Sequence, residues 1–66
     1  MAQTFTISGP GVDRDAPEEG PAISGAITFA ARHAEPATFY VRENGTIRYR
    51  VERGADRVIL VEAVRT

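Results

Sequence analysis

Few side chains in this sequence are of a kind that does chemistry, and their spacing narrows what that chemistry is. There is no cysteine, so thiol nucleophiles, thiolate metal ligation and disulfides are excluded. His33 is the single histidine, which leaves no His pair for acid–base work and no His-rich zinc set. No serine is spaced from it as a nucleophile dyad requires. Gly9-Pro10-Gly11 follows a short strand pattern as a phosphate loop does. Arg14 stands where a dinucleotide fingerprint needs glycine, however, and no Gly-Lys-Ser/Thr follows. Asp13, Asp15, Glu18 and Glu19 lack the glycine and closing glutamate of a calcium loop and read as a solubilising segment. The expectation is a protein with no catalytic residues, no cofactor and no metal, and not an enzyme.

What remains is arginine. All eight basic residues are arginine and none is lysine. The guanidinium grips carboxylate and phosphate bidentately and stacks on rings. The accompanying alanine, glycine and valine give the same bias that a GC-rich coding sequence produces. Residues 1–35 hold five acids and two arginines, −3, whereas residues 36–66 hold six arginines and four acids, +2. The total of −1 argues against bulk attraction to nucleic acid.

The arginines need elements to place them. Thr38–Arg42 and Thr46–Glu52 flank Glu43-Asn44-Gly45, the pattern of a β-hairpin with glycine supplying a positive φ. A two-residue loop would set Val41 against Arg48 and Phe39 against Arg50, splitting the apolar residues between faces. A three-residue loop with Gly45 as a bulge instead pairs Val41 with Ile47 and Phe39 with Tyr49. It then gathers Phe39, Val41, Ile47, Tyr49 and Val51 on one face. In that register Tyr40, Arg42, Thr46, Arg48 and Arg50 face away from the core, and Arg53 and Arg57 flank the next turn. An aromatic among arginines on an open sheet serves protein interfaces and single-stranded nucleic-acid platforms alike. It also occurs as a plain solvated face with arginine stems lying over apolar surface.

Thr4–Ser8 alternates as a short strand closed by Gly9-Pro10. Residues 9–21, with three Gly, three Pro and four acids, read as a flexible acidic loop. Residues 22–35 place Ala22, Ile23, Ala26, Ile27, Phe29, Ala30 and Ala34 within about half the helical circumference, between Pro21 and a stop at Pro36. They read as a helix, with a strand as the alternative because Ile27, Phe29 and Ala31 alternate. His33 then sits at the helix end, favourable to the dipole. Gly54-Ala55-Asp56 is a turn, and Val58–Val64 is a strand apolar on both faces.

The fold expected is one α+β domain over residues 1–66: a single helix packed on one face of a small four-stranded, mostly antiparallel sheet, order β-α-β-β-β. Its first strand lies parallel to a neighbour. The function expected is a small non-enzymatic protein-binding module, such as an adaptor, inhibitor or regulator. Its partner-binding residues are Tyr40, Arg42, Arg48, Arg50, Arg53 and Arg57. The alternatives are a single-stranded nucleic-acid-binding module using the same face and a structural subunit of a larger assembly. No apolar run approaches the roughly 20 residues of a membrane span, and Met1–Thr4 has no basic flank or apolar core, so a cytoplasmic location is expected. A core this small and a last strand apolar on both faces point to a homodimer or a covering partner. Size and layout are similar in style to small accessory proteins of bacteria and phages, with no motif behind the likeness.

Overall fold

The computed structural model describes residues 4–64. The chain begins with a hairpin, strands β1 (Phe5–Gly9) and β2 (Val12–Ala16). Pro10-Gly11 turns it, with φ 70 at Gly11 suiting the second central position of a type II turn. Residues 9–21 are therefore not one loop. They contain β2 and the first turn of helix α1 (Glu19–Arg32). Asp13, Arg14 and Asp15 disguise the strand, because they have little intrinsic β preference and its stability comes from pairing with β1.

Helix α1 starts three residues earlier than the spacing predicts and stops at Arg32. Pro21 occupies its third position, where the missing N–H costs nothing because the first four are unpaired in any helix. Ala22 N–H donates to the Glu18 carbonyl at 3.1 Å. His33 has left the helix (ψ 137), and its N–H donates back to Ala30. Its ring meets Phe39 edge-on, with centroids 5.8 Å apart. Its Nδ1 lies 2.7 Å from the Glu35 carbonyl oxygen.

Strands β3 (Ala37–Glu43), β4 (Thr46–Arg53) and β5 (Ile59–Ala63) complete a five-stranded sheet of order β2-β1-β3-β4-β5. Among the described residues every pairing is antiparallel. The fold is thus α+β with one helix, as expected, but with five strands instead of four. The parallel pairing expected of β1 is absent because β2 reverses the chain before the helix. The crossover through α1 therefore links β2 to β3, and β1 lies between them antiparallel to both.

The core is Phe5, Ile7, Phe39, Val41 and Val51 from the sheet against Ala22, Ala26 and Ala30 from the helix. The alanines, one turn apart, form a ridge of small side chains that brings the helix backbone close to the sheet. Gly25 serves the same approach, since a Cβ there would lie 2.7 Å from Ile7 Cδ1. The ring of Phe39 covers Gly9, where a Cβ would lie 2.7 Å from its Cε2 and 2.8 Å from its Cγ.

The β3–β4 register corrects the sequence argument. Asn44 and Gly45 both take positive φ (51 and 87) and form a two-residue turn with Glu43 opposite Thr46. Arg42 pairs with Ile47 but Val41 with Tyr49, so Arg48 is an extra residue in β4, a β-bulge. The bulge resolves the parity conflict that the two-residue loop poses. Phe39, Val41, Tyr49 and Val51 do share the helix face, but Phe39 pairs with Val51, not Tyr49. Ile47 is only half-buried and lies outside the core cluster.

Tyr49 fixes the start of the helix to the sheet, its phenol donating to the Glu19 carboxylate. That hydrogen bond holds the Tyr49 pKa above its ordinary value of 10.0, with desolvation and the Glu19 charge acting in the same direction. The neutral phenol is the form favoured by folding. Its stabilising contribution is full below the unfolded value and is lost as pH rises through the raised folded value. Melting temperature measured against pH is expected to fall on this alkaline limb, and Tyr49→Phe is expected to flatten it.

Candidate functional site: the open sheet face

One face of the sheet is covered by α1 and the other by nothing among the described residues. Register assigns Thr6, Ser8, Asp13, Asp15, Thr38, Tyr40, Arg42, Ile47, Arg50, Glu52, Leu60 and Glu62 to the open face. Its centre is Tyr40 on β3, with Ser8 opposite on β1 and Arg50 opposite on β4. The Arg42 guanidinium lies 5.9 Å from the Tyr40 ring centroid, within cation–π range. Its Nε donates to Ser8 Oγ at 3.2 Å and its Nη1 to the Gly45 carbonyl at 3.5 Å. These contacts pin a long side chain over an aromatic ring before any ligand arrives.

Arg50 is held differently. It lies 3.0 Å from Glu52 Oε1 and 2.8 Å from Glu62 Oε2, bridging two carboxylates on its own face. Both partners are partly exposed, so the network adds little to stability. It does neutralise Arg50 as a free cation. Counted over the face, Arg42 and Arg50 stand against Asp13, Asp15, Glu52 and Glu62, a balance of −2.

Three of the six expected partner-binding residues lie together here: Tyr40, Arg42 and Arg50. The bulge removes Arg48 from the set. It is the unpaired residue of β4 and reaches Glu43 at 3.6 Å, and both charges act on the Tyr49 phenol of the opposite face. Thr46 leaves the face for the same reason. Arg53 is the clearest correction. Paired with Ala37 and Ile59, it lies on the helix face and is 5% exposed. It sits two pairs beyond Phe39–Val51 along the strand. Its Nε has no hydrogen-bond partner among the described residues. Arg57 is exposed in the β4–β5 turn at φ 68, away from Tyr40.

Residues outside the expected set also belong to this surface. Leu60 is 52% exposed at the β5 side of the face. Arg14, which the charge pattern assigned to the acidic loop, instead lies on the helix side, 5.8 Å from the Phe29 ring centroid. Among the described residues no three His, Asp or Glu side chains lie together as a metal site, no pocket opens in the surface, and no helix is long and apolar enough to cross a membrane. No protein-family model, curated protein or solved structure matches the chain.

Proposed function

We propose that this chain is a small, non-enzymatic protein-binding module, a cytoplasmic adaptor, inhibitor or regulator whose docking surface is the open sheet face. The observation that carries this reading is the Tyr40–Arg42 stack at the centre of an uncovered sheet. Tyrosine and arginine are the side chains most often found at interface hot spots, and here both are ordered in advance. The charge balance of the face weighs for a protein and against a nucleic acid, because a phosphate backbone needs net positive charge where it lies.

Tyr40→Ala combined with Arg42→Glu tests the reading. Both side chains point off the sheet, so circular dichroism and thermal melting should show the fold retained. Affinity capture from the native lysate with wild type and variant, followed by titration of the captured protein, is expected to show a loss of at least tenfold, about 1.4 kcal/mol or more. Equal affinity of the two would refute the surface. Salt-sensitive binding of a single-stranded oligonucleotide, abolished by the same variant, would select the nucleic-acid reading instead.

A further inference from the structure

Strand β5 is an edge, and its edge is of an unusual kind. Val58, Leu60 and Val61 are 61%, 52% and 40% exposed. They fall on both sides of the sheet, since Val61 pairs with Val51 on the helix side and Leu60 with Glu52 on the open side. The strand has no lysine, proline or bulge, the usual devices that keep an edge from pairing. Its one charge, Glu62, is taken up by Arg50. The opposite edge, β2, carries Asp13, Arg14 and Asp15 in succession and is protected.

The backbone shows which groups the free edge offers. Val64 N–H donates to the Arg48 carbonyl at 2.8 Å, and the Val58 carbonyl accepts from Gly54 N–H at 3.0 Å. Even-numbered residues therefore turn their polar groups inward, toward β4. In an antiparallel ladder this alternates along the strand, so Ile59, Val61 and Ala63 present N–H and C=O outward.

We propose that β5 pairs antiparallel with β5 of a second copy about a two-fold axis at Leu60, joining two five-stranded sheets into one. The register satisfies every constraint at once. Ile59 meets Val61 of the second copy, and Val61 meets its Ile59, each an outward-facing pair able to exchange both hydrogen bonds. Leu60 meets Leu60 on the open side, and Val58 lies beside Glu62. The three most exposed apolar side chains are covered by the same contact. A two-fold contact uses both β5 edges and leaves only the charged β2 edges, so association stops at the dimer. A five-residue strand pairing is small beside a standard interface of about 1,600 Å², so the dimer dissociates on dilution. The Tyr40–Arg42 stack is two strands away and remains free, so this contact is separable from the proposed docking face.

Sedimentation equilibrium of the full chain, from low to high micromolar concentration, is expected to show reversible monomer–dimer behaviour. Val61→Pro removes an outward N–H and no β4–β5 hydrogen bond, and proline is tolerated at a sheet edge. It is expected to be monomeric at every concentration with a wild-type circular dichroism spectrum. In the cysteine-free chain, Leu60→Cys places two thiols at a non-hydrogen-bonded pair, where the Cα atoms lie about 4.5 Å apart, and is expected to oxidise readily to a covalent dimer. A wild type that stays monomeric, a Val61→Pro variant that dimerises unchanged, species larger than dimers, or Leu60→Cys cross-linking no faster than Ser24→Cys on the exposed helix face would each overturn the proposal.

Discussion

Phe39→Ala is expected to lower the stability of this protein by about 3–5 kcal/mol, the usual cost of removing a fully buried aromatic ring. At roughly 0.05–0.15 kcal/mol per residue, a chain of this length has about 3–10 kcal/mol in total, so the variant is expected to be largely unfolded at 37 °C. The ring is 0% exposed and has two specific supports: the His33 edge contact and Gly9 beneath it. The second support makes the effect separable from generic loss of apolar surface. Gly9→Ala inserts a methyl group into space the ring occupies and is expected to cost about 1–3 kcal/mol. Phe39→Leu vacates part of that space. In its background the Gly9→Ala penalty is expected to shrink well below the wild-type value, a coupling that urea titration of the four proteins would measure. Additive effects would place the ring elsewhere.

The hairpin, the helix and the last strand were legible because each has a strong local signal. Asn44-Gly45 needs positive φ, the 22–30 stretch repeats apolar residues at helical spacing, and residues 58–61 are an unbroken apolar run. Strand β2 was not legible. Its residues are those of a loop, and only the Pro10-Gly11 dipeptide hinted at a turn between strands. Missing β2 also produced the wrong strand direction, since a chain reversal left out before the helix inverts the pairing of β1. The mixed outcome for the arginines has two causes. Alternation placed Tyr40, Arg42 and Arg50 correctly, because the extra residue of the bulge is Arg48 in β4, which leaves alternation unbroken along β3 and from Tyr49 onward in β4. It failed at Arg48, where the bulge sits, because a one-residue insertion in mid-strand leaves no mark in the residue types around it. Arg53 is a different case, in which alternation is right and the reading of the charge is wrong. The charge pattern assumed a solvated guanidinium, whereas strand parity, carried two residues past Val51, already placed it on the core side.

The bulge also reverses an expectation about the core, and this yields a sharp contrast between two residues of one strand. Under a three-residue loop, Ile47 would pair with Val41 against the helix, and Ile47→Ala would cost about 2–5 kcal/mol. In the structure Ile47 pairs with Arg42, is half-buried and stands apart from the core cluster, whereas Val51 is 0% exposed between Phe39 and Val61. Val51→Ala removes two methyl groups, at about 0.8 kcal/mol each for transfer, and leaves a cavity under α1 that the rigid Phe39 ring cannot fill, for about 2–3 kcal/mol in all. Ile47→Ala is expected to cost under about 1 kcal/mol, because water already reaches the side chain and no cavity forms. The comparison is made by urea denaturation at constant m-value, so that both shifts report on the same transition. An Ile47→Ala cost equal to or above that of Val51→Ala would mean that the hairpin in solution adopts the three-residue loop. Arg48 would then return to the open face beside Tyr40 and Arg42.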